Sequence, residues 1–360
     1  MNDLQEFFKG KKVLITGHTG FKGSWLTKIL LVWKADIVGL SLKPNTVPNL
    51  FGLLKLKDKV KNYFIDIRNL ENVRKIIDKE NPEIIFHLAA QPLVRDSYDD
   101  PIYTFETNIL GTTYILQSVK ENKNVKSVVL ITTDKVYKES GDKDMEEGNQ
   151  IEGHDPYSAS KAACEMIITS YLKSFFNIDN YGKGHHTLIA SARAGNVIGG
   201  GDWSKDRIVP DIIRSIFEEN KSIIIRNPGF IRPWQHVLEP LSGYLLLAKG
   251  LYNGRKELSG AWNFGPNEES YLTVRALVED AIKILNKGSY VIRNNNNKHE
   301  SSSIRLNTDK AKDILGWNSS LGIQKALNLT FSWYDYFYNH KNMTDVTEKQ
   351  IKLFFNKNEL

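Results

Sequence analysis

The feature that most constrains this chain lies within its first thirty or so residues. Lys12 to Thr16 (KVLIT) is a short apolar strand, followed at once by Gly17-His18-Thr19-Gly20-Phe21-Lys22-Gly23 and a helical segment from Ser24 to Val32. Glycines three apart between a strand and a helix form the turn that receives a dinucleotide. Gly17 permits the tight turn, Gly20 lets the backbone approach a pyrophosphate, and Gly23 allows close packing of helix on strand. The helix N-terminus then presents unpaired N–H groups to the anion. His18, expected beside the pyrophosphate, Phe21 and Lys22 complete the cofactor-facing loop.

Such a turn opens an α/β sheet, and the chain continues accordingly. Further β-like runs occur at Ile37 to Leu42, Tyr63 to Ile65, Ile84 to Leu88, Val128 to Thr132 and Leu188 to Ala192. Between them lie helix-length amphipathic segments, including Leu70 to Glu80 and Thr107 to Asn122. This alternation predicts a doubly wound, Rossmann-type parallel sheet whose loops gather around one crevice at the strands' C-terminal ends. Residues 1–195 are expected to be mainly dinucleotide-binding domain. From about Asn196, Gly-, Pro- and Trp-rich loops alternate with short helices, predicting a smaller, irregular α/β substrate lobe over 196–340, with the chain crossing between lobes. Asn294 to Asn297 reads as a polar loop, and 341–360 as a polar, peripheral tail.

Composition narrows the partners. No apolar run is long enough to span a bilayer, and the polar Met1 to Lys12 does not read as a signal peptide. Cys164 is the sole cysteine, so an intrachain disulfide and a cysteine zinc cluster are both excluded. The expectation is a cytoplasmic enzyme with no membrane and no nucleic-acid partner, because 48 basic residues against 42 acidic ones are spread along the chain without a patch. No metal is expected either: His185 and His186 are adjacent, with no carboxylate cluster near them in sequence.

Chemistry is carried by Tyr157 and Lys161, four residues apart and so on one helical face. A phenol is a poor base near neutrality. An adjacent ammonium, with the positive charge of a nicotinamide, would stabilise its phenolate and let it take a hydroxyl proton as hydride leaves. The pair follows a strand ending in Thr132-Thr133-Asp134-Lys135. Leu88, Ala89, Ala90, Gln91 and Thr132 are placed along the cofactor crevice. Asp66 and Ile67 read either as an adenine contact or as a solvated turn, and Asn108 either as a support for Lys161 or as a helix cap. Ser41 stands where a ribose-binding carboxylate is usual and Lys43 is near, so NAD is expected with NADP left open.

The glycine turn, His87-Leu88-Ala89-Ala90, Thr107 to Thr112 and Tyr157…Lys161 resemble the extended short-chain dehydrogenase/reductase superfamily. Gly17 to Leu26, His87 to Arg95, Arg193 to Trp203 and Arg232 to Val237 are most similar to its CDP-glucose 4,6-dehydratase family, with weaker agreement at Asn263 to Pro266 and His299-Glu300 to Leu306. That resemblance covers roughly residues 7 to 335. It implies a redox-neutral dehydration of a nucleotide sugar: oxidation at C4, loss of water across C5 and C6, and hydride return to C6. Related dehydratases use a Thr-Asp-Glu triplet as orienting hydroxyl, acid and base, so Thr133, Asp134 and Lys135 would take these roles, with lysine replacing glutamate. Asn196 resembles the family's nucleotide-sugar-contacting asparagine. Gln91, Arg95 and His236 are further substrate candidates, and Arg207, Arg232 and Arg305 could grip a diphosphate in bidentate fashion. The family also implies a homodimer through helices beginning near Asp100 and Tyr157. Rival readings are a dehydratase or 4-epimerase of another nucleotide sugar, and a catalytically silent dinucleotide sensor. An epimerase would need neither Asp134 nor Lys135; a sensor would bind cofactor without turnover.

Overall fold

Alternation in the strands decides the layers. In the computed structural model, which describes residues 2–138, 143–293 and 305–356, Val13 and Ile15 enter the core on one side of the sheet and Leu14 the core on the other. Ile84 and Phe86 oppose Ile85, and Val129 and Ile131 oppose Val128 and Leu130, in the same way. A strand buried on both faces is what a parallel sheet covered by helices requires.

Seven strands form the sheet: β1 (Lys12–Thr16), β2 (Asp36–Ser41), the more exposed edge strand β3 (Lys61–Phe64), β4 (Ile84–His87), β5 (Ser127–Ile131), β6 (Leu188–Ala194) and β7 (Gly260–Phe264). Their spatial order is β7-β6-β5-β4-β1-β2-β3, and every pairing is parallel. The order reverses between β1 and β4, which places the ligand crevice at their C-terminal ends. The Leu70–Glu80 helix occupies the predicted span, with the Asn69 side chain capping its start by accepting from the Asn72 amide. The predicted Thr107–Asn122 helix is instead a widened π turn, Glu106–Leu110, running into an α-helix at Gly111–Glu121.

The chain beyond Asn196 makes two-residue and three-residue ribbons: Val197–Ile198 with Gln235–His236, Ile231–Pro233 with Tyr271–Thr273, and Ile223–Ile225 with Tyr290–Ile292. It also returns to the main sheet. The Leu238–Tyr252 helix contributes Leu241, Leu245 and Ala248 to the core that β5 and β6 line, and β7 then pairs with β6. Asn294 to Asn297 and His299-Glu300 lie outside the described residues.

One expectation is corrected here. Residues read as a polar tail contain a helix, Met343–Phe355, whose Met343, Thr347, Ile351, Phe354 and Phe355 are buried. Phe355 packs edge-on against Trp33, Thr347 accepts from the Trp333 indole, and Glu348 pairs with the buried Lys28. Apolar residues spaced three and four apart account for this face. The intervening lysines are on the opposite side.

Candidate active site

At the glycine turn, each glycine meets a different constraint. Gly17 has φ +72°, and a Cβ there would lie 2.7 Å from the Ala89 nitrogen. A Cβ on Gly23 would sit 2.0 Å from the Gly17 carbonyl oxygen. Gly20 begins the Phe21–Val32 helix with no side-chain cap, leaving that helix's first N–H groups to an anion. The turn therefore fits a dinucleotide pyrophosphate on its own geometry. Phe21 closes the turn from the other side, its ring lying beside Gly199.

The floor of the crevice is built by β1 and β4. The Thr16 carbonyl accepts from the Leu88 amide, and its hydroxyl from the Ala89 amide at 3.1 Å. Leu88, Ala89 and Ala90 remain partly exposed along this floor. His87 below them is fully enclosed between the Thr16 and Thr112 hydroxyls, and burial brings its pKa to about 3. At the adenine end, Ser41 hydrogen-bonds Thr19 at 2.8 Å. Ile67 is buried against Gly111. Asp66 is held by Arg68, which also pairs with Glu106, and these arginine contacts keep the Asp66 carboxyl below its ordinary value despite burial.

The Pro156–Ser174 helix starts cleanly: Asp155 accepts from the Ser158 amide and Pro156 occupies the first turn. Tyr157, Lys161 and Glu165 then share one buried face. Opposite them, Thr133 begins a short 3₁₀ turn, Asp134–Val136. Thr133 donates to Asp134 at 2.9 Å and favours the phenolate form of the neighbouring Tyr157. Burial raises Asp134 above the ordinary carboxylate value, against the pull of Lys135, Thr133, Arg232 and Lys22. Burial likewise pushes Tyr157 up to about 12, outweighing Thr133 and Arg207. The expected lowering of the phenol by Lys161 is thus absent among the protein's own groups: the Lys161 ammonium donates to the Ile131 carbonyl at 2.9 Å, and burial lowers its own pKa. Lys135 is half-buried beside Asp134.

Lys22 joins this cluster from the glycine turn. Burial, helped by Arg207 and Lys161, brings its pKa to about 7 while Asp134 pulls upward. Arg207 donates to Asp202 at 2.8 Å and carries its field to Tyr157. Arg232 is buried over the Phe230 ring, within electrostatic reach of Asp134. Asn196 is half-buried at the end of β6, with its carbonyl held by the Gln235 amide. Arg305 is exposed over the Tyr271 ring, and Arg95 sits at the rim 3.5 Å from Asp206.

Four assignments change. The His18 side chain is fully buried, hydrogen-bonded to Asn62 at 2.8 Å and wedged under Gly39, so only its backbone can face the pyrophosphate. His236 is fully buried edge-on to Trp25, with burial bringing its pKa to about 3, which makes it a packing residue rather than a substrate contact. The Gln91 amide is spent on Thr104 and Leu93. Thr132 turns its hydroxyl to Glu165 rather than to the crevice. Asn108 acts as a brace: it accepts from the Gln91 amide, donates to the Gln91 carbonyl and donates to Ser160, the neighbour of Lys161. Glu165 and Tyr137 were missed by sequence reasoning. The first was readable, one turn beyond Lys161 on the same face; the second was not, because its partner Asn263 lies 126 residues away.

A parallel doubly wound sheet, a pyrophosphate-accepting glycine turn and a buried Tyr–Lys helix face beside it define an enzyme of the extended short-chain dehydrogenase/reductase class. Within that class the chain belongs to the GDP-mannose 4,6 dehydratase family, whose model matches residues 14–330. It is 44% identical to the CDP-glucose 4,6-dehydratase of Salmonella typhimurium over 96% of this chain and 97% of that one. Its fold is shared by the UDP-glucose 4-epimerase of Thermotoga maritima (TM-score 0.77, 22% identity, covering 91% of this chain and 99% of that one). It is shared equally by the dTDP-glucose 4,6-dehydratase of Streptomyces venezuelae, solved with NAD bound (TM-score 0.77, 21% identity, covering 90% and 97%). Among the described residues no helix is long and apolar enough to cross a membrane.

Proposed function

We propose that this chain is an NAD-dependent hydro-lyase that converts CDP-glucose to CDP-4-keto-6-deoxyglucose. The observation that carries this reading is the buried Asp134. Its carboxyl is raised toward the protonated form and stands beside Lys135 and across the Thr133 hydroxyl from Tyr157. Oxidation at C4 alone needs a base and a hydride acceptor; loss of water also needs an acid and a second base. The identity to the Salmonella enzyme supports both the reaction and the cytidine nucleotide.

NAD, which the Gly17–Gly23 turn and the Leu88–Ala90 floor would hold, would supply the hydride chemistry at C4 and C6 when bound. Tyr157 takes the C4 hydroxyl proton. Its phenol starts from a pKa of about 12 against the pull of Thr133 and Arg207, so the positive charge of a bound cofactor would have to bring it down further. Lys135 removes the C5 proton acidified by the new ketone, and Asp134 protonates the departing C6 hydroxyl, breaking the C–O bond as water forms. Lys135 then returns its proton to C5 as the double bond is reduced. The balance closes when the proton gained by Tyr157 replaces the one lost from Asp134, which Thr133, beside Tyr157, contacts through its hydroxyl. Arg207 and Arg232, with Asn196, hold the substrate's nucleotide diphosphate.

Mass spectrometry of CDP-glucose, dTDP-glucose, GDP-mannose and UDP-glucose after incubation with protein and NAD tests the reading. Loss of one water from the CDP-sugar is expected. Loss from another sugar alone would discard the substrate, and no loss from any would discard the reaction. Lys135→Met is expected to oxidise C4 yet eliminate water slowly, so that reduced cofactor accumulates; normal dehydration by this variant would remove Lys135 as the base.

A homodimer is part of the same proposal. Ile102, 66% exposed, and Met166, 59% exposed, lie on the neighbouring helices Pro101–Phe105 and Pro156–Ser174. Sedimentation should show a dimer that Ile102→Asp weakens; a monomeric parent protein would end this part.

A further inference from the structure

The turn that carries Asp134 and Lys135 is poorly held by its own backbone. Val136 reaches the Thr133 carbonyl at 3.4 Å and Tyr137 the Asp134 carbonyl at 3.3 Å, both beyond the usual hydrogen-bond range. Its two flanks, by contrast, are tied to the two halves of one buried ion pair. Glu165 and Arg193 are 3% and 5% exposed and meet in a fork, with Nε to Oε1 at 3.0 Å and Nη2 to Oε2 at 2.8 Å. On the leading flank, the Thr132 hydroxyl donates to Glu165 at 2.5 Å. On the trailing flank, the Tyr137 phenol accepts from Arg193 Nη1 at 2.7 Å and donates to Asn263 on β7 at 2.6 Å. Asn263 in turn donates to the carbonyls of Met145 and Asn307. Ser191 also donates to Glu165, at 2.8 Å.

A buried ion pair is a weak source of stability, since well-packed apolar residues often do as well or better. It is a strong source of geometry, because a guanidinium–carboxylate fork fixes direction as well as distance. We propose that the Glu165–Arg193 pair, acting through Thr132 and Tyr137, is a positioning clamp that sets Asp134 and Lys135 for elimination separately from the Tyr157–Lys161 step. Glu165 sits on the same helix face as Tyr157 and Lys161, so one rigid element carries the oxidation residues and indexes the elimination residues against them. This rests on the dehydratase reading above.

The experiment is a single turnover of CDP-glucose with NAD, following reduced-cofactor absorbance and product mass. For Tyr137→Phe and for Thr132→Val, reduced cofactor should form at close to the parent rate and decay roughly tenfold or more slowly, the size expected of a small misplacement of catalytic groups. The double variant should be less than additive, because both arms act through one pair. Arg193→Lys, which keeps the charge and loses the fork, should show the same split between phases. Equal slowing of both phases, or a lower melting temperature with unchanged kinetics, overturns the clamp. If the parent protein itself releases no water from CDP-glucose, it is the dehydratase reading that fails instead.

Discussion

Lys22, with its pKa brought down to about 7, carries its proton in only about half the molecules at neutral pH. The folded value lies below the unfolded one, so between them the unfolded chain holds more protons and stability rises with pH. Lys22→Met is therefore expected to raise the Tm of the cofactor-free protein by a few degrees near pH 6. The advantage should narrow as pH climbs from about 7 toward the ordinary lysine value; an advantage constant with pH would mean that Lys22 is solvated and uninvolved. This residue also marks where the sequence stopped being readable. The glycine spacing assigns the turn's backbone to the pyrophosphate and says nothing of a side chain reaching Asp134. Tyr157 and Lys161 were legible because helical spacing alone puts them on one face. Tyr137 was not, since its role depends on Arg193 and Asn263 arriving from other strands.

At the scale of elements, the three glycines of the turn are predicted to fail differently. Gly23→Ala forces a methyl onto the Gly17 carbonyl, and backbone cannot yield as a flexible side chain would. Loss of several kcal/mol, about the scale of severe overpacking, is expected in urea unfolding. Gly20 has φ −76°, and a Cβ there would meet only the Gly17 carbonyl oxygen at 3.4 Å. Gly20→Ala should fold normally and bind NAD more weakly by calorimetry; intact binding would show that the pyrophosphate lies elsewhere. The Leu70–Glu80 helix was readable to the residue because amphipathic spacing and an Asn cap coincide. The π turn at Glu106–Leu110 was not, because it serves Asn108, whose partners Gln91 and Ser160 are tertiary. The Met343–Phe355 helix escaped notice because lysines and asparagines dilute its apolar face.

For the whole molecule, that last helix is a structural cover rather than an appendage. Deleting residues 343–356 would remove the Glu348 partner of Lys28 and uncover Trp33 and Trp333. Each large apolar side chain returned to water costs about 1.5–3 kcal/mol, so the shortened protein should unfold at markedly lower urea; an unchanged midpoint would make the helix dispensable. The parallel sheet was legible from strand–helix alternation, but the strand that completes it was not, since Gly-Ala-Trp-Asn-Phe has no apolar alternation to announce it. That strand has a practical consequence for anyone dividing the gene. A break near residue 195 would leave the wholly buried β6 as a bare sheet edge, its hydrogen-bonding groups open to any passing chain. The two pieces would not behave as separable modules joined by a hinge. They would be halves of a complementation pair, each prone to aggregate alone and regaining activity only when co-expressed.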